Sequence, residues 1–165
     1  MKKPSKVLTM LGVAAALGLL AGCGSKGGAE MQKVPDTPQG NAYLFRNGLM
    51  EVMAYKLEPL GKMARGSMPV DEKEFVQYAN DLNTASQWIL EGFMPEGAIP
   101  QSRALPAIWK NYDDFKMKAM AMQDAVKKVA DAANSGGFKA AQPLVGAVGM
   151  ACGGCHRAYR KRTGS

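Results

Sequence analysis

Near the C-terminal end of the chain runs Met150-Ala-Cys152-Gly-Gly-Cys155-His156-Arg-Ala-Tyr159-Arg160. At its centre is Cys-x-x-Cys-His, the spacing used for covalent attachment of haem c. On a helix, residues i, i+3 and i+4 share one face, so the thiols of Cys152 and Cys155 and the imidazole of His156 point the same way. The thiols can form thioethers with the two vinyl groups of a haem while the imidazole ligates the iron from below, and Gly153 and Gly154 leave room for the macrocycle edge. Other chemistries suit the pair less well. A thioredoxin-like redox pair belongs in a βαβ setting, and a disulfide between these two positions of one helix is geometrically awkward. Zinc would need further strong ligands, and the chain has no second Cys-x-x-Cys and no other histidine. With one histidine in the whole chain, a two-histidine metal site within one chain is excluded, and any histidine chemistry passes through His156.

An apolar fraction of 47% over 165 residues is enough to build the core of one domain and excludes a disordered chain. Twenty-one Lys and Arg against 14 Asp and Glu give a net charge of +7. The basic residues are scattered and not interleaved with aromatics, so a nucleic-acid surface is not indicated. Residues 1–22 read as a signal peptide: Lys2, Lys3 and Lys6 form a basic start, and Val7 to Ala21 is an uncharged apolar run too short for a comfortable membrane span. It ends in Leu20-Ala21-Gly22-Cys23, which looks like a bacterial lipobox with Cys23 as the lipidated new N-terminus. The alternative is an ordinary cleaved signal with an incidental cysteine. On either reading the mature chain leaves the cytoplasm, in keeping with haem c attachment outside it. Loss of those three lysines leaves 18 basic against 14 acidic residues, a net +4. The expected location is the periplasmic side of a bacterial envelope, with residues 23–41 as a flexible tether and 42–165 as the folded domain.

The motif needs helices to hold it, and from Asn41 onward apolar residues recur at three- and four-residue steps. A first helix is expected over about 42–65, with Leu49, Val52, Met53, Leu57 and Leu60 inward and a kink or early break near Leu57 caused by Pro59. Asp71 followed by Glu74 reads as an N-cap with a capping box for a second helix over about 72–91, burying Phe75, Ala79, Leu82, Ala85 and Ile89. Gly92 to Ala104 is the longest interior connection. A third helix opens at Pro106 and carries Trp109, Tyr112, Phe115, Ala119, Met122, Val126, Val129 and Ala133 near a heptad seam, stopping before Ser135-Gly136-Gly137. A fourth spans about 138–162, with Pro143 drawing its true start later. The expected fold is all-α, an antiparallel four-helix bundle.

Three stretches, the last of them containing the attachment motif, carry a family resemblance. They are Phe45-Arg46-Asn-Gly-Leu-Met50, then Pro106-Ala-Ile-Trp109 with Phe115-Lys-Met-Lys and Gln123-Asp, and the run from Ala151-Cys to Tyr159-Arg160-Lys. With a C-terminal Cys-x-x-Cys-His on a bundle, the chain resembles the class II c-type cytochromes, cytochrome c′ and its low-spin relatives, over roughly residues 43–162. The resemblance implies one haem c held by Cys152 and Cys155, with His156 as the proximal iron ligand. It implies that Arg46 pairs with a haem propionate and that Asn47 touches the same edge, where the plain reading of Arg46 is a solvated surface charge. It places Arg160 beside the proximal face, though Arg160 is equally part of a solvated basic cluster. Met50 falls where the family puts the residue facing the other side of the iron. A methionine ligand there would suit a one-electron carrier. An apolar shield that does not bind would leave an open site for NO or CO. Met53, one turn on, is a second candidate, and the remaining methionines read as core filling. Neither reading makes the chain an enzyme, since no general base accompanies the haem in the recognisable motifs. Expected partners are a redox protein with an acidic face, drawn to the basic end at Arg157 to Arg162, and a membrane through the lipid anchor; the resemblance alone implies a second copy of the chain through the first two helices.

Overall fold

The computed structural model describes residues 33–162. The expected signal peptide at 1–22, the expected lipidation site Cys23 and the expected tether as far as residue 32 lie outside the described residues. Helix α1, Pro38–Ala64, begins four residues before the expected start at 42. Thr37 caps it by accepting from the Gly40 amide at 3.1 Å, and Pro38 occupies a first-turn position where its missing N–H costs nothing. Gly40 is required there, because a side chain would drive a Cβ to 1.9 Å from the Pro35 carbonyl oxygen. The helix passes through Pro59 without the expected break. It closes at Gly66 (φ 72), whose amide returns to Met63 while that of Ser67 returns to Lys62.

Helix α2, Glu72–Ser86, is capped as its sequence predicts: Asp71 accepts from the Glu74 amide at 2.9 Å. It stops five residues short of the expected end. The Ser86 carbonyl is taken by the Gln123 side chain at 3.0 Å, and the chain continues through turns and a 3₁₀ segment, Glu91–Phe93. The expected third helix is divided at Asn111, whose φ of −128° and ψ of 49° are not helical. Before it lies a single turn, α3, Ala107–Lys110, and after it the long helix α4, Tyr112–Ala141. Trp109 therefore sits outside the long seam and donates its indole N–H to the Phe93 carbonyl at 3.1 Å. Within α4 the predicted glycine stop is real, since Gly136 and Gly137 leave helical geometry. Pro143 lies in a 3₁₀ turn, Gln142–Leu144, and α5, Val145–Tyr159, follows it.

The fold is a four-helix bundle of α1, α2, α4 and α5, with no strand among the described residues. α1 packs on α2, α2 on α4 and α4 on α5, while α1 and α5 meet over only a short stretch. Phe75, Leu82, Val126, Val129 and Val148 are nearly inaccessible at the centre. Val52, expected inward, is 49% exposed and shares an outer face of α1 with the exposed Leu44 and Tyr55. At one end of the bundle, α5 is fastened by a single antiparallel bridge between Ala104 and Arg160. The Leu105 amide donates to the Tyr159 carbonyl and the Lys161 amide to the Arg103 carbonyl. This bridge ends α5 three residues before the expected Arg162.

A candidate haem-attachment site

Where α1 and α5 diverge, the bundle encloses a cavity of about 350 Å³. Cys152, Cys155 and His156 of α5 form one wall, Arg46, Asn47, Met50 and Met53 of α1 face them, and Phe115, Lys118 and Met122 of α4 close the back. Ser102, Arg103 and Ala104, held by the bridge to α5, complete the mouth beside Arg160. The helix thus delivers the motif as its spacing predicts, and all of the predicted site residues except Cys23 meet in this one cavity.

Cys152 and Cys155 are half-buried and not joined to each other. Burial pushes both thiols above their ordinary range. His156 is half-buried, and burial, followed by the charges of Arg160 and Arg103, holds it below its usual value. The imidazole is therefore neutral with a nitrogen lone pair available, the form that ligates a metal. Among the described residues no three His, Cys, Asp or Glu gather into a metal cage. An iron held here would need most of its ligands from a macrocycle.

Arg46 supplies the sharpest geometric clue. Only 5% of it is exposed, and Nη1 donates to the Gly92 carbonyl at 2.5 Å. The guanidinium lies over the Phe93 ring, 5.0 Å from its centroid. Nη2 is buried with no partner. Burial lowers its pKa, yet an arginine keeps its charge, so a residue of the cavity wall carries a buried cationic donor without a partner. Leaving such a donor unpaired costs about 1–3 kcal/mol, and a carboxylate on a ligand would remove that cost. A solvated helix-surface charge is not what the structure shows. Cysteine pair, neutral imidazole and orphan cation together suit a planar, covalently tethered macrocycle bearing carboxylates, as haem c is.

Sequence reasoning missed several members of the site. Gly92 must lack a side chain, since its Cβ would lie 2.5 Å from Arg46 Cγ. Tyr159 donates to Asp114, which also pairs with Lys118 at 3.1 Å. Arg103 binds the Lys161 carbonyl through Nε and Nη2 at 3.1 and 2.8 Å. These partners are separated by 45 residues or more along the chain, so no local pattern announces them.

The family model for cytochrome c′ matches residues 41–160. Cytochrome c-554 of Cereibacter sphaeroides is 36% identical over 121 residues, covering 71% of this chain and 78% of that protein. Cytochrome c′ from Shewanella frigidimarina superposes with a TM-score of 0.72 at 29% identity, covering 78% of this chain and 99% of that one. A nitric oxide complex of a leucine variant of cytochrome c′ from Alcaligenes xylosoxidans superposes with a TM-score of 0.68 at 30% identity, covering 77% and 98%. A cavity built from a Cys-x-x-Cys-His helix, on a bundle matched by family model and solved structures alike, has one reading: the chain belongs to the cytochrome c′ family, whose members carry one covalent haem c.

Proposed function

We propose that the protein is a one-electron carrier on the periplasmic side of a bacterial envelope. In this reading Cys152 and Cys155 form the thioethers, His156 is the proximal iron ligand, and Met50 is the sixth ligand. Haem c supplies a one-electron iron couple. The residues of the chain do the rest. Arg46, held by Gly92 and Phe93, turns its free Nη2 toward a propionate, with Asn47 on the same edge. Met53, Phe115 and Met122 keep water from the cavity, and a low dielectric there disfavours the extra charge of the oxidised iron. The observation that carries the reading is the position of Met50: half-buried, on the cavity wall formed by α1, and one helical turn from the anchored Arg46.

Cytochromes c′ are periplasmic, and among the described residues no helix is long and apolar enough to cross a membrane. Export through residues 1–22 and a lipid on Cys23, with the following residues as tether, would hold the domain at the membrane surface. A homodimer through α1 and α2 belongs to the same proposal, supported by the exposed Leu44, Val52 and Tyr55.

A second reading, a five-coordinate site that binds NO or CO, is favoured by the similar structure solved as a nitric oxide complex and by apolar Ala54 and Leu57 beside Met50. Absorption spectra of the reduced holoprotein before and after CO separate the two. A carrier gives a sharp low-spin α band that CO leaves unchanged, and Met50→Ala converts it to a high-spin form that binds CO. A wild-type protein that is high-spin and takes up CO at once would overturn the carrier in favour of gas binding.

A further inference from the structure

Acidic and basic residues are unevenly distributed along this chain. All 14 Asp and Glu lie between Glu30 and Asp131, and from Ala132 to the end there are five basic residues and no acid. Folding turns this linear asymmetry into a surface. The bridge at Ala104–Arg160 brings Arg103, from the connection between α2 and α3, against the end of α5. Its guanidinium is fixed in place by two hydrogen bonds to the Lys161 carbonyl. Lys118 of α4 also lines the cavity, with its charge tempered by pairing with Asp114. Arg157 folds back along α5, with its guanidinium over the Gly153-Gly154 turn: a Cβ on Gly153 would lie 3.1 Å from Nη1. Among the described residues, Glu51 is the only carboxylate lining the cavity. Arg157, Arg160 and Lys161 are exposed.

We infer that Arg103, Arg157, Arg160 and Lys161 form a docking face for an acidic electron-transfer protein at the end of α5, with Arg103 and Arg160 on the lining of the cavity where Cys152 and Cys155 would hold the haem. The inference rests on the carrier reading and names the partner of that same site. Charges fixed beside a cavity mouth focus the field there, raise encounter rates for a partner of opposite sign and lose that effect as salt rises. Arg103 works as the organiser: its fork joins two segments 58 residues apart, so the cationic cluster exists only in the folded chain. Weakly hydrated guanidinium groups suit carboxylates on a partner, which they can engage through two parallel hydrogen bonds. A protein is favoured over a lipid surface because Arg103 and Arg160 line the cavity itself and the cluster does not lie along an amphipathic helix face.

The test uses reduced holoprotein and two small oxidants of opposite charge, hexacyanoferrate(III) and tris(phenanthroline)cobalt(III). The expected rate with the anion falls as salt is added, while that with the cation rises. In the double variant Arg157→Glu, Lys161→Glu, the rate with the anion at low salt drops roughly tenfold and both salt slopes shrink or reverse, with the absorption spectrum unchanged. The control Lys73→Glu, Lys139→Glu has the same net charge but alters the opposite end of the bundle, near the Glu72–Phe138 contact, and it should leave both slopes near wild type. Equal sensitivity of the two variants would mean that only net charge matters and would overturn the docking face while leaving the carrier intact. Negligible transfer to either oxidant would overturn the carrier reading and the face together. Binding to vesicles of anionic phospholipid that vanishes in the first variant, with oxidant rates unmoved, would assign the cluster to a membrane surface and overturn the protein partner.

Discussion

At the scale of single residues, burial decides which polar groups matter. Arg46 and Tyr159 both sit in the cavity wall at 5% and 6% exposure, yet they are held in opposite ways. Arg46 keeps one donor free, whereas Tyr159 is committed to Asp114 and, more loosely, to the Asn111 carbonyl. The phenol is pushed up to about 12 from an ordinary value of 10, first by its hydrogen bond to Asp114 and then by burial. The carboxyl of Asp114 is correspondingly lowered, with Tyr159 the largest cause and Lys118 the next. A group whose pKa rises on folding stabilises the fold fully below its unfolded value and loses that contribution as pH climbs through its folded value. Stability to urea should therefore fall between about pH 10 and pH 12, and Tyr159→Phe should flatten that fall. An identical slope in wild type and variant would show that other groups govern the alkaline limit.

At the scale of elements, the stops and breaks are set by backbone chemistry of different legibility. Gly137 combines φ 65° with ψ −160°, a region open essentially to glycine alone. It lets the amide of Phe138 turn to the Glu72 carboxylate at 2.8 Å, tying the end of α4 to the start of α2. Gly137→Ala should destabilise the fold by about 1–3 kcal/mol, since the new Cβ would also lie 2.9 Å from Glu72 Oε2. Thermal melting of the holoprotein checks this, and an unchanged midpoint would show that the turn can rearrange. Pro143 shows the same legibility, because proline suits the first positions of a helix and α5 begins just beyond it. Pro59 is the counter-example: a helix can bridge the lost hydrogen bond when flanking turns are packed, and the neighbouring Leu60 and Met63 are each 1% exposed. Asn111 gave no local sign that it would split the expected third helix.

At the scale of the whole molecule, two faces remain to be matched with partners: the cationic end and the outer side of α1. Leu44, Val52 and Tyr55 are 54%, 49% and 67% exposed and recur at helical spacing, so they form a stripe that a second copy of the chain would cover. Wild-type protein should sediment as a dimer, and Val52→Glu, which would bury a charge without a partner, should sediment as a monomer with an unaltered spectrum. A monomeric wild type would remove the dimer from the proposal and leave the haem site untouched. The open angle between α1 and α5 belongs to this scale as well. Helices that met along their full length would leave no cavity for a macrocycle between Met50 and His156.

The sequence by itself determined the helices, their inner faces at Phe75, Leu82, Phe115 and Val126, the glycine stop at 136–137 and the grouping of Cys152, Cys155 and His156 on one side of α5. These depend on periodicity, caps and spacing within one or two helical turns, where neighbours in sequence are neighbours in space. Arg46 and Met50 were legible only through resemblance, because nothing local separates a buried arginine from a solvated one. What only the tertiary structure decided was which groups meet: Arg46 with Gly92, Tyr159 with Asp114, Arg103 with the Lys161 carbonyl. It likewise turned Val52 outward and shortened α2. Such outcomes are set by long-range packing and by where each buried donor finds an acceptor. Those conditions exist only once the helices have closed around the cavity.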